Sequence, residues 1–269
     1  MNEIKLNDGT KIPTLGLGTY QLLGKDARAS VTYALEAGYR HIDTAKAYNN
    51  EEEIGMEISN SSIPRKELFI ATKLDNDAHG YSESINALEK SLMRLGMEYV
   101  DLYLIHWPSN GKRIETWKAF QDMQEKGLVK SIGVSNFTVD HLQELMDKGN
   151  IVPAVNQIEF NPYVYQKDIA DFCNKNNITI EAYTPLARAK KFNDQDIKNL
   201  SKKYGKTLAQ IFLRWSIQHE AVVIPKSKSK ERIIENSQIF DFELTEDDMH
   251  ILNAKHENLR ASADPHTIK

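Results

Sequence analysis

Cysteine is nearly missing from this 269-residue chain: Cys173 stands alone, so no internal disulfide can staple the fold. A reducing compartment is expected, and the cytoplasm fits best. The first residues, MNEIKLNDGTK, lack the apolar core of a signal peptide. Long hydrophobic runs are missing too, and no window nears the roughly 18 consecutive apolar residues of a spanning helix. Nor is there an excess of charge of one sign. The 34 Lys and Arg against 38 Asp and Glu leave a formal charge of −4, which gives nucleic acid or an anionic membrane no general basic field to meet. No linker rich in Pro, Gly or Ser interrupts the chain, so one domain spanning residues 1–269 is expected. What is present, 41% hydrophobic and 27% charged residues, describes a globular protein with a sizeable core.

Short apolar runs alternate with longer helical patterns. The runs are 15–19 (LGLGT), 41–45 (HIDTA), 68–74 (LFIATKL), 100–107 (VDLYLIHW), 129–135 (VKSIGVS), 154–160 (AVNQIEF), 179–186 (TIEAYTPL) and 222–227 (VVIPKS). Between them, SINALEKSLMRLG sets Ile85, Leu88, Leu92 and Leu95 on one helical face. Glycines 38, 96, 127, 149 and 205 stand where helix C-caps are expected. Strands apolar on both faces and separated by helical crossovers run parallel and covered, and eight such units predict an α/β fold of the (β/α)8 TIM-barrel type. An open doubly wound sheet is the alternative. IKLNDGTKIP predicts an N-terminal β-hairpin cover turning at Asp8-Gly9. Thr245, with Asp248 three residues on, predicts an extra C-terminal helix.

Catalytic groups of such barrels lie at the C-terminal ends of the strands. There this chain places Asp43, with Tyr48 soon after, then Lys73, and His106 followed by Trp107. A phenol is a sluggish acid at neutral pH, and a nearby ammonium such as Lys73 is expected to lower its pKa. Asp43 would fix and charge Lys73. Tyr48 is then the expected general acid, and a neutral His106 would donate to a carbonyl oxygen and orient it. Tyr20, Tyr48 and Trp107 predict an aromatic pocket for small carbonyl compounds, with His106 at its base. Lys226, Ser227 and Arg232 precede or open a predicted helix, a setting that favours a phosphate.

Rival signals fail on spacing. Gly16-x-Gly18 is followed by Gln21 where a dinucleotide fingerprint needs its third glycine. DNDAHG at 75–80 begins like a calcium loop, but its twelfth position is Asn86. His41, Asp43 and His106 could be imagined as metal ligands, yet Lys73 beside a cation has no use, and no metal is expected.

At these residues the chain resembles the aldo-keto reductase family. Asp43 and Tyr48 lie in a DTAxxYxNExExG-like motif, Lys73 in FIATKL and His106 in LIHWP, with GVSNF, NQIEFNP and IPKSKSKERIIEN following. The resemblance implies a catalytic tetrad of these four residues and NADPH as cofactor. It implies that the nicotinamide amide is held by Ser135, Asn136 and Gln157, with the ring stacked on Tyr183, and that the 4-pro-R hydride is transferred. It also implies that Lys226, Ser227 and Arg232 hold the adenosine 2′-phosphate, with Glu235 and Asn236 near the adenine. The expected partner is a small carbonyl substrate and the expected state a monomer. Two departures stand out. The loop WPSNGKRIETW is short, which suggests an open, tolerant site, and Thr184-Pro185-Leu186-Ala187 replaces the usual Ser-Pro-Leu-Gly.

Overall fold

The computed structural model describes residues 2–109 and 111–268; Met1, Asn110 of the short loop and Lys269 of the tail lie outside the described residues. Strand β1 (Glu3–Lys5) pairs antiparallel with β2 (Lys11–Pro13), Ile4 opposite Ile12. The turn follows the expected chemistry: Gly9 takes φ +92° and Asp8 accepts from the Thr10 amide at 2.9 Å. Leu6 and Ile12 of this hairpin pack with Phe69, Ala71, Leu102, Leu104, Val155 and Val222. The hairpin therefore closes one end of the apolar interior, leaving the other for chemistry.

Eight parallel strands follow in sequential order: β3 (Gly16–Gly18), β4 (His41–Asp43), β5 (Phe69–Leu74), β6 (Val100–Ile105), β7 (Val129–Ser135), β8 (Val155–Glu159), β9 (Thr179–Tyr183) and β10 (Val222–Val223). Leu15 bridges Val223 in parallel, and the Val223 amide donates to Thr14 O at 2.9 Å, so the last strand meets the first. That closure makes a barrel and removes the open doubly wound alternative. β10 ends after two residues, just ahead of Pro225, which has no amide to continue a ladder.

The helices α1 (Gly24–Glu36), α2 (Glu51–Asn60), α3 (Tyr81–Leu95), α4 (Arg113–Glu125), α5 (Val139–Gly149) and α6 (Lys167–Lys175) alternate with the strands. Leu88, Leu92 and Leu95 of α3 are buried and Ile85 half-buried, as their spacing requires. Two helices, α7 (Gln195–Tyr204) and α8 (Leu208–Gln218), stand between β9 and β10 where one crossover was expected. Asp194 caps the first, Gly205 ends it at φ +62°, and a Thr207–Gln210 capping box starts the second. After α9 (Lys230–Ser237), the expected extra helix is α10 (Glu246–Asn253), with Thr245 accepting from the Asp248 amide. Among the described residues, no helix is long and apolar enough to cross a membrane.

One expected cap is wrong. Gly149 is the last residue of α5 rather than its left-handed cap, and Asn150 takes φ +64° instead. Gly149 serves packing, because a Cβ there would lie 2.5 Å from Trp117 Cδ1. Gly55 in α2 has a harder constraint: a Cβ would fall inside contact distance of the Leu95 carbonyl oxygen at the end of α3. Gly55→Ala is expected to cost about 1–3 kcal/mol by forcing the two backbones apart. A thermal melt lower by about 2–10 °C would agree, and an unchanged Tm would remove the claim.

Candidate active site

The segment that carries Tyr48 is pinned from both sides. Asn50, fully buried, accepts from Thr44 Oγ1 at 2.7 Å and donates to Thr19 O and Leu22 O at 2.9 and 2.8 Å. Between these anchors a single 3-10 turn, Lys46–Tyr48, crosses the rim, and Asn49 at φ +53° turns the chain into α2. Glu51, Glu52 and Glu53 occupy the first turn of that helix, where its dipole favours anions. Tyr48 is left half-buried, its ring edge-on to Tyr20 at 5.1 Å and to His106 at 5.8 Å.

Beneath the phenol, Lys73 and Asp43 form a sealed pair. Lys73 Nζ lies 2.7 Å from both Asp43 carboxylate oxygens, 2.8 Å from Thr44 O and 3.3 Å from Tyr48 Oη. Lys73 and Asp43 are buried, whereas Tyr48 and His106 are only half-buried. The four groups expected to act together are thus adjacent, with the charged pair below and the phenol and imidazole above. Tyr20 is 47% exposed and touches Tyr48. Trp107, directly after His106, is half-buried, and its ring does not pack on either tyrosine ring among the described residues.

The electrostatics correct one expectation. Burial raises the Tyr48 pKa, and although Lys73 pulls it back down, the net shift is upward rather than downward. Tyr48 therefore holds its proton throughout the neutral range, and Lys73 matters for the phenolate as it forms. Burial also works against the charge on Lys73, but Asp43, then Tyr48, more than offset it and keep the ammonium above its usual range. Burial, then Lys73, depress His106 to about 3, leaving a neutral imidazole able to donate.

Around this group lies a polar network at the ends of β7, β8 and β9. Ser135 Oγ donates to Gln157 O at 2.9 Å, and Asn136 Nδ2 donates to His106 O at 3.0 Å and Ser135 Oγ at 3.1 Å. Tyr183 Oη donates to Asn136 Oδ1 at 2.7 Å and lies 2.6 Å from Ser262 Oγ. Gln157 Nε2 donates to Asp43 Oδ2 at 3.0 Å and Glu181 Oε2 at 2.6 Å. Its side-chain oxygen Oε1 accepts nothing among the described residues. A carboxamide needs an acceptor for its N–H and a donor for its oxygen, and this network can supply both: Gln157 Oε1 and a rotating Ser135 hydroxyl.

A second group stands on the β10–α9 connection. Lys226 and Arg232 are exposed, and neither has a carboxylate partner among the described residues, whereas Lys228 pairs with Asp26 at 3.4 Å and Lys230 with Glu36 at 2.8 Å. Ser229, not Ser227, caps α9 by accepting from the Arg232 amide, and Ser227 Oγ accepts from the Ser229 amide at 3.1 Å. Asn236 is buried, and one oxygen of Glu235 accepts from Thr207 on α8 at 2.8 Å. The two unpaired cations and the helix start suit an anion such as phosphate.

Three features escaped the sequence. Glu159 Oε2 accepts from the amides of Ala261 and Ser262 at 3.0 and 3.2 Å and from Ser262 Oγ at 2.9 Å, so the tail is tied to the end of β8 and touches Tyr183. Nothing in a tail sequence announces such a partner. The backbone from Ala187 to Ala189 runs left-handed, φ +46° to +59°, without a glycine, in the segment that departs from the family pattern. Glu181 is fully buried inside the barrel beside His41, and an ionisable residue inside the apolar run TIEAY was the available signal.

Several buried histidines make stability pH-dependent. Burial holds His41 and His106 at about 3 and His79 at about 4, against 6.5 when unfolded, so between those values the unfolded chain binds more protons. Stability then rises with pH across that window. Glu181, lifted by burial to about 8, acts oppositely, as do Asp43 and Asp101, also raised by burial, while His141 and His219, depressed by burial, add to the effect of the three. Tm is expected to fall by several degrees between pH 7 and pH 5; a higher Tm at pH 5 would contradict this.

Comparison with known proteins gives the family. The Aldo/keto reductase family model matches residues 14–257. The chain is 43% identical to the glyoxal reductase of Bacillus subtilis over 97% of its own length and 95% of the relative. Its structure superposes with a TM-score of 0.96 on an aldo-keto reductase from a Medee basin deep-sea metagenome library, at 43% identity and 99% coverage of both chains. The Bombyx mori aldo-keto reductase in complex with NADP gives 0.92 at 38% identity, covering 97% of this chain and 95% of that one.

Proposed function

Because the chain belongs to the aldo/keto reductase family, we propose that it reduces small carbonyl compounds to alcohols with NADPH, Tyr48 acting as the general acid. The observation that carries this reading is Lys73, bound to both oxygens of Asp43 and reaching Tyr48 Oη at 3.3 Å, below a neutral His106. When bound, NADPH supplies the hydride that reaches the carbonyl carbon. His106 donates an N–H to the carbonyl oxygen and orients it. Tyr48 Oη gives that oxygen its proton, and Lys73 stabilises the phenolate left behind. Asp43 keeps Lys73 charged and in place.

Ser135, Asn136 and Gln157 would hold the nicotinamide amide, with the ring against Tyr183. Lys226, Ser227 and Arg232 would take the 2′-phosphate, with Glu235 and Asn236 at the adenine. The relative in Bacillus subtilis is named a glyoxal reductase, which favours small aldehydes and dicarbonyls as substrates here. Tyr20 and Trp107 would guide such a substrate toward Tyr48 and His106. The unit we envisage is a single-domain, cytoplasmic monomer with no nucleic-acid or membrane partner.

Following NADPH absorbance with glyoxal or a simple aldehyde tests the reading, and no consumption by the wild type would overturn it. Arg232→Ala removes a charge-assisted phosphate contact, so the preference for NADPH over NADH should fall about 10–100-fold. Equal use of both cofactors by the wild type would remove the phosphate assignment.

A further inference from the structure

Gln157 is held by two carboxylates, and only one belongs to the tetrad. Its Nε2 donates to Asp43 Oδ2 at 3.0 Å and to Glu181 Oε2 at 2.6 Å. Asp43 is ionised by Lys73 and can only accept, so the atom facing it must be the amide nitrogen. This leaves Gln157 Oε1 free to accept from a ligand. Gln157 and Glu181 are direct neighbours on adjacent strands, so Glu181 bears on the amide from the side while Asp43 does so from across the barrel.

Glu181 itself needs a proton. His41 Nε2 lies 3.2 Å from Glu181 Oε1, yet the ring N–H is not aligned with that oxygen, and both atoms otherwise lack partners among the described residues. An unpartnered oxygen on a fully buried carboxyl group is least costly when the group is neutral. The charged and titratable groups facing it are His41 and Asp43 on β4 and Lys73 on β5. Burial, then the charge of Asp43, favour the neutral acid at Glu181, and burial keeps His41 unprotonated.

We propose that Glu181, as a neutral acid beside His41, is a positioning residue that fixes the Gln157 amide with its oxygen presented to the nicotinamide carboxamide. Glu181 touches neither cofactor nor substrate; it acts through Gln157. The inference rests on the reading of the barrel mouth as a nicotinamide site.

The test compares Glu181→Ala and Glu181→Gln with wild type, measuring binding of NADPH and of adenosine 2′,5′-bisphosphate, which carries no nicotinamide. Glu181→Ala leaves the amide tied to Asp43 alone and so loosens it. NADPH affinity should fall about tenfold, the worth of one well-placed hydrogen bond, while the bisphosphate binds as before and so certifies the fold. Glu181→Gln reproduces a neutral acid, since its oxygen can accept from Gln157 and it adds no charge. It should keep NADPH affinity within about threefold of wild type. Unchanged NADPH affinity in Glu181→Ala overturns the positioning role, and an equal loss in Glu181→Gln overturns the neutral acid. Absence of NADPH binding by the wild type itself would instead defeat the reductase reading, so the two failures are distinguishable.

Discussion

Tyr48→Phe is expected to lower kcat/KM by about 10²–10⁴-fold, the range that one positioned proton donor supplies. The change removes a single oxygen. The ring keeps its edge contacts with Tyr20 and His106, and Lys73 keeps both oxygens of Asp43 and the Thr44 carbonyl at 2.7–2.8 Å. The lost contact is the longest that Lys73 makes, 3.3 Å, so stability should change by no more than about 1 kcal/mol. NADPH binding should be preserved, since the residues assigned to it lie on other elements. The signature is therefore a fall in turnover with intact cofactor affinity and an intact melt. Turnover within tenfold of wild type would reject Tyr48 as the acid and leave His106 to be examined for that role. Cofactor binding without turnover in the wild type would point instead to a regulatory barrel.

The arrangement behind this prediction was legible wherever a residue's role is set by its own strand. Asp43 ends β4, Lys73 is the last residue but one of β5 and His106 directly follows β6, and the apolar runs are enough to locate such ends. The hairpin was legible because Asp8-Gly9 is a local turn, and α10 because Thr245 and Asp248 are three residues apart. Roles that depend on distant partners were not. Glu159 holds Ser262 across 103 positions, Gln157 reaches Asp43 across 114, and Gly149 yields space to Trp117. The sign of the Tyr48 shift was missed for a related reason: a neighbouring ammonium can be guessed from sequence, whereas the depth of burial that outweighs it comes only from the packed fold. The doubled helix between β9 and β10 was readable in its caps, Asp194, Gly205 and Thr207, although the repeat of strand and helix suggested a single crossover.

Lys73→Met carries the largest expected structural effect. It leaves Asp43, 2% exposed, with Gln157 Nε2 as its remaining side-chain donor. Stranding a buried charge costs about 3–5 kcal/mol, which corresponds to a Tm lower by roughly 6–20 °C. Activity should vanish as well, because no cation remains for the phenolate. The pH dependence has a definite sign. In the wild type Lys73 is held above the ordinary lysine value of 10.5, so its contribution is present below that value and is lost only as pH rises through the higher folded value. In Lys73→Met the Asp43 carboxyl loses that ammonium while its burial, the largest cause of its upward shift, remains. Protonation then relieves the stranded charge, and the deficit relative to wild type should shrink as pH falls. Lys73→Met/Asp43→Leu separates the two roles of the pair. Removing both charges for apolar groups is often neutral or stabilising, so the double variant should regain most of the lost Tm while remaining inactive. If the double variant melts as low as Lys73→Met, the loss comes from packing rather than from a stranded carboxylate; if it regains activity, the pair has no part in proton delivery.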